Sequence, residues 1–184
     1  MELLLTLFTI IMTAATPLLL AALGETVTER SGVLNLGVEG MMIMGAVAGF
    51  GGAFLSGSPW VGVIAAILAG VLMSLLFGFL TLTLLANQVA TGLALTLLGL
   101  GLSALLGEAF VGQPGVRLPS LWGIDPLVPF SLAMVPAVSW FLFRSKAGLI
   151  VRAVGNSHAS AHALGYRVVL VRYLCVMFGG AMSG

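Results

Sequence analysis

Three polar segments interrupt an otherwise apolar chain, and each carries side chains suited to recognition rather than bond-making. In GETVTERSGVLNLGVEGMM, Gly24 to Met42, Asn35 and Glu39 lie four apart. On a helix that spacing stacks them on one face, about one turn into an apolar run. A carboxylate at the centre of a bilayer costs about 2.5–3.5 kcal/mol on insertion scales, so such a group normally faces protein or a water-filled path. Gly32, Gly37 and Gly40 weaken helix continuity here and permit a half-broken helix with free backbone groups lining a cavity. The alternative places Glu39 at the interface, reaching toward headgroups.

The second segment, LLANQVATGLALTLLGLG from Leu84 to Gly101, sets Asn87, Gln88 and Thr91 at three- and four-residue spacing. Two amides and a hydroxyl suit hydrogen bonding to a neutral polar solute better than metal coordination, which wants clustered carboxylates, imidazoles or thiolates. A tight interfacial turn accounts for the same residues equally well. The third segment, RSKAGLIVRAVGNSHASAHALGYRV, runs from Arg144 to Val168. Gly148 to Val154 reads as an extended or loosely helical entry containing Arg152. Asn156 or Ser157 then caps a short helix through Ala159, Ser160, Ala161, His162, Ala163 and Leu164, which Gly165 ends. Such a short, small-faced helix with basic flanks suits docking into another protein's groove, or alternatively resting on anionic lipid. His158 and His162 have no third ligand nearby, so no metal site is expected.

Composition dictates what positions these segments. Of 184 residues 60% are apolar and 7% charged, against roughly 45–50% and about 25% in soluble domains. Apolar stretches of bilayer-spanning length recur along the chain, so its solvent is largely lipid. Five spans are expected, at Leu3 to Leu23, Val33 to Leu55, Trp60 to Leu85, Val89 to Gly107 and Leu127 to Phe143, with a sixth starting near Val168. The expected fold is an all-α polytopic bundle, one membrane domain over residues 1–184, whose apolar end at Gly184 reads as a C-terminal truncation. Gly45 and Gly49, with Ala65, Ala66, Ala69 and Gly70, supply small-residue faces that let membrane helices approach closely. Cys175, the single cysteine, reads as a small buried residue.

Arg144, Lys146, Arg152, Arg167 and Arg172 flank or occupy the 144–168 segment, which the positive-inside rule assigns to the cytoplasm. Counting back puts the N-terminus outside, the 24–32 loop inside with Arg30, and the Pro-rich 112–126 loop outside with Arg117. Trp60 and Trp122 then mark the outer interface and Trp140 the inner one. The near-neutral balance, +1 overall with no basic run, excludes a nucleic-acid binder.

RAVGNSHASAHALG resembles the cytoplasmic loop of permease subunits in the bacterial ABC importers of the branched-chain amino acid, ribose and nucleoside group. Arg152, Ala153, Val154, Gly155, Ala161, Ala163 and Gly165 match that pattern; Asn156 and His158 stand where an acidic residue and a proline are common. ERSGVLNLGVEGMMIMGA and NQVATGLALTLLGLGL resemble the nucleoside (simple sugar) branch of the same group. The resemblance implies a pore subunit rather than an enzyme, translocating nucleosides or related small polar solutes across the bacterial inner membrane. Branched-chain amino acids or sugars are the alternative cargo. It also implies three partners: a cytoplasmic ATP-binding subunit gripping Ser157 to Leu164, a second related permease, and an extracytoplasmic solute-binding protein. Lys146 is the one lysine and no Gly-x-x-x-x-Gly-Lys-Ser/Thr loop exists, so ATP and Mg belong to the partner. Arg152, Gly155, Asn156, Ser157, Ala161 and Gly165 are the expected coupling residues, and Asn35, Glu39, Asn87, Gln88 and Thr91 the expected solute path. A secondary transporter or channel is the competing class; it needs titratable groups at mid-membrane, where only Glu39 and Glu108 come near.

Overall fold

A computed structural model describes residues 2–115 and 125–184. Among them the chain forms eight α-helices and no strand: α1 Glu2–Arg30, α2 Val38–Ser56, α3 Pro59–Gly78, α4 Gln88–Gly107, α5 Leu127–Arg144, α6 Lys146–Asn156, α7 His158–Ala163 and α8 Val168–Ser183. A π-helical turn, Phe79–Thr83, extends α3, and a 3-10 turn, Glu108–Phe110, extends α4. With these extensions, five helices are long and apolar enough to cross a membrane, and α8 is a shorter apolar helix. The all-α bundle read from composition is therefore the fold. Arg117 and Trp122 lie outside the described residues.

Helices in lipid gain little from hiding apolar surface from one another, so close backbone approach must hold them. The small-residue faces do this. A Cβ added to Gly49 would lie 3.1 Å from the Ala66 Cβ, and one on Gly52 would lie 2.8 Å from the Ala65 Cβ, which seats α2 on α3. The α3 and α8 backbones meet at Gly70 and Gly180. Short as it is, α8 occupies the centre, burying Cys175, Val176, Gly179, Gly180 and Ser183 on one stripe against α1 and α3. One apolar cluster, including Val33, Met41, Met73, Phe77, Leu95 and Val176, joins α2, α3, α4 and α8. A second, Val27, Val138, Leu142, Val151 and Cys175, joins α1, α5, α6 and α8. Buried hydroxyls are satisfied within their own helices, as where Thr16, Thr81 and Ser183 donate to the carbonyls four residues back.

Two boundaries differ from the sequence reading. The first helix does not stop at Leu23 but runs to Arg30, carrying Glu25 and Glu29 within it. The polar stretch stays helical because Thr26 and Thr28 turn their hydroxyls onto the Ala22 and Gly24 carbonyls of the same helix. The non-helical connection is thus 31–37 rather than 24–32, and α2 starts at Val38 rather than Val33. Gly148 to Val154 is not extended either. It belongs to the regular helix α6, whose Ser145 cap accepts from Gly148 N–H at 2.9 Å and whose Gly148, Val151 and Val154 form a buried stripe.

Candidate functional site: the break between α1 and α2

Residues 31–37 connect α1 to α2 in irregular backbone, and where such a connection is buried its amides need partners. Ser31 and Val33 donate to the Thr28 carbonyl and Gly32 to that of Glu29, closing the end of α1. Gly32 makes this turn at φ +82°, where a side chain would be strained. Leu34 N–H then donates to Gln88 Oε1 at 2.8 Å, Asn35 N–H to Glu25 Oε1 at 3.0 Å, and Gly37 N–H to Asn35 Oδ1 at 2.9 Å. The Leu36 carbonyl accepts from Thr96 Oγ1 at 3.2 Å. The break is therefore a built feature, held by side chains from α1, α4 and its own Asn35. It lies directly on α4, since a Cβ on Gly92 would come within 2.8 Å of Leu36 N.

This geometry sorts the expected path residues. Asn35 is 3% exposed and braces the break from inside, while Glu39, in the first turn of α2, points outward. The expectation that they share one helical face fails because Asn35 precedes the helix and α2 starts only at Val38. Asn87 and Gln88 are each taken up by backbone contacts. Asn87 is exposed and caps α4, accepting from Val89 and Ala90 N–H at 3.0 and 3.2 Å, so it serves the turn. Gln88 reaches across to the break, and Thr91 is half-buried. The turn itself is tight: Leu85 adopts φ +56° as α3 reverses into α4.

Over this end lies the α6–α7 unit. Ser157, not Asn156, caps α7, accepting from Ser160 N–H at 3.3 Å; Asn156 is the last residue of α6. Gly165 ends the element at φ +83°. The guanidinium of Arg152 sits 5.2 Å from the Phe143 ring centroid, a cation–π contact that pins α6 to α5. Gly155 rests on the break: a Cβ there would overlap the Arg30 carbonyl and lie 3.1 Å from Gly32 N. Ala161 is 1% exposed, so it seats α7 within this chain and is not part of an open docking face, as the sequence suggested. The open face is instead His158, Ala159, Ser160, His162, Ala163 and Leu164, with Leu164 73% exposed.

Sequence reasoning missed two members. By polarity Glu25 reads as part of a loop, and Arg172 as one of the basic flanks of the 144–168 segment. Arg172, one turn into α8, donates from Nε to the Ser31 carbonyl at 3.2 Å, and its Nη2 meets the imidazole of His158, the first residue of α7. A spacing signal existed: Arg172 lies on the same stripe of α8 as Cys175, Val176 and Gly179, which face inward.

A sequence profile described as "Branched-chain amino acid transport system / permease component" matches residues 7–184. The chain is 40% identical over 190 residues to TsgC13 of Haloferax volcanii, provisionally named a glucose ABC transporter permease protein, covering 93% of this chain and 58% of that protein. It is 34% identical to the guanosine ABC transporter permease protein NupQ of Bacillus subtilis, covering 92% of this chain and 62% of NupQ. To the nucleoside ABC transporter permease protein NupC of Lactococcus lactis it is 29% identical, with the same coverage. The chain thus spans about three fifths of the length of these curated relatives. No solved structure matches it significantly.

Proposed function

Because the chain belongs to the permease-component family of branched-chain amino acid transport systems, we propose that it forms part of the translocation pathway of an ATP-driven importer for nucleosides or simple sugars. Its place would be the plasma membrane, the inner membrane of a bacterium, as a multi-pass subunit. The observation that carries this reading is the seating of the α6–α7 unit on the break between α1 and α2. An element outside the spans, in backbone contact with the connection between two of them, gives an outside motor a point of entry to the bundle. In this reading ATP and Mg would be held by a separate ATP-binding subunit gripping the outer face of α7. A second permease subunit and an extracytoplasmic solute-binding protein complete the proposed assembly.

The nucleoside or sugar cargo rests on the names of the relatives. Gln88, Asn35 and Glu25 hold the break in shape, while Glu39 points to a side that this chain leaves open. A second permease subunit facing that side would enclose Glu39 in a shared path. Glu39→Ala is expected to cut uptake about tenfold, the worth of one hydrogen bond to a charged group, with normal amounts in the membrane. Unchanged uptake would return Glu39 to a headgroup-facing role.

The docking half has its own test. Leu164 is apolar, exposed and outside the spans, so Leu164→Glu should leave the permease inserted and intact. Co-purification of the ATP-binding subunit and ATP-dependent uptake should both fall about tenfold or more, since a charge buried at an interface goes unpaired. Retention of the complex would move the docking face elsewhere.

A further inference from the structure

We propose that Arg172 is the strut through which movement of the α6–α7 unit pulls on the break between α1 and α2; this rests on the transport reading above and names a residue that would carry its coupling. Three chain segments meet at this side chain. Its Nε holds the Ser31 carbonyl at 3.2 Å, and its Nη2 meets the ring of His158 at the start of α7. A guanidinium only donates, so the facing imidazole nitrogen must act as the acceptor. The two contacts leave from different nitrogens of one rigid plane, so the guanidinium spans two separated acceptors, whereas an ammonium would have to draw both acceptors to a single nitrogen.

The neighbouring contacts explain why such a link is needed. Gly155 touches Arg30 and Gly32 through bare backbone, and a van der Waals contact of that kind transmits a push but scarcely a pull. Hydrogen bonds from Arg172 resist separation. The base of the strut is tied to α1, because Thr28 Oγ1 shares its one proton between the Gly24 carbonyl of its own helix at 3.1 Å and the Cys175 carbonyl at 3.2 Å, one turn further along α8. On the other side of α8, Tyr173 OH pairs with Thr83 Oγ1 at 2.6 Å. The moving end is lighter: α7 has six residues, and His158 directly follows the capping Ser157. Ser31 is itself fully buried, with its hydroxyl on the Thr28 carbonyl, so a displacement of its carbonyl shifts the end of α1 and the break together.

The test uses the full-length permease assembled with its ATP-binding, second permease and solute-binding subunits in proteoliposomes. Uptake of tritiated guanosine or labelled glucose, whichever the unaltered assembly accumulates, is measured together with ATP hydrolysed. Arg172→Ala is expected to assemble and hydrolyse ATP within about twofold of the unaltered protein, while solute moved per ATP falls about tenfold, the loss expected when a charge-assisted link is cut. Arg172→Lys should not restore the ratio. His158→Ala, a change on the exposed face of α7, should lower it too, and the double variant should be no worse than Arg172→Ala alone, because both remove one link. The proposal is overturned if Arg172→Ala keeps the normal ratio, if the two substitutions multiply, or if hydrolysis and uptake fall in proportion with loss of assembly. If the unaltered assembly shows no ATP-dependent uptake, the transport reading itself fails and the strut has no coupling to serve.

Discussion

Gly155→Val is expected to leave the membrane spans inserted yet reduce ATP-dependent uptake to background and make residues 144–168 readily cut by protease. The cause is steric and local. A Cβ at this position would overlap the Arg30 carbonyl, and backbone rather than a flexible side chain occupies the space. Overpacking of this kind costs about 1–3 kcal/mol when side chains can yield, and more where they cannot. The cheapest relief is to lift α6 from the end of α1, which breaks the contact through which the unit reaches the break. Gly101→Val is the control, since nothing lies within 4 Å of a Cβ there and its backbone is helical. It should transport normally. Equal behaviour of the two variants would mean that α6 is not seated as described.

Ala161→Glu should have the second large effect, and for a reason that differs from docking. At 1% exposure Ala161 packs inside this chain, so a carboxylate there is buried without a partner, at a cost of about 3 kcal/mol or more. The α7 element should come away from the membrane domain. Hydrogen exchange over 157–165 should quicken in the isolated permease, before any ATP-binding subunit is added. Leu164→Glu should not quicken it, because Leu164 faces outward. An Ala161→Glu protein with native protection over α7 would contradict the burial of that residue.

These two residues illustrate what a sequence pattern conveys and where it stops. Apolar runs longer than a bilayer is thick announce themselves without any tertiary context, and the spans were legible to within a few residues except at one place. That exception is the start of the chain's most informative region. Glu25, Thr26 and Glu29 look like a loop by polarity, yet hydroxyls bonded to their own helix and a carboxylate bonded to the Asn35 amide keep α1 helical to Arg30. Gly32 and Gly37 fall in the connection between α1 and α2, but Gly40 lies inside regular α2, and the amides of Leu34, Asn35 and Gly37 are bonded to side chains rather than free to line a cavity. What spacing could not convey is that Asn35 would face inward and Glu39 outward, because a helical wheel applies only when both residues are on the helix. Likewise Ser157, Gly165 and the short α7 follow from capping rules, whereas the burial of Ala161 depends on tertiary packing and the reach of Arg172 to Ser31 spans 141 residues of chain.

The most direct test of the account is uptake by the permease reconstituted with the ATP-binding, second permease and solute-binding subunits proposed for it. Labelled guanosine and glucose should be offered separately, each with ATP inside the vesicles and each with a proton gradient alone. The account predicts accumulation of one of these solutes that requires ATP and the binding protein and is indifferent to the gradient. Accumulation driven by the gradient without ATP would contradict it, as would ATP hydrolysis by the assembly that no nucleoside or sugar stimulates.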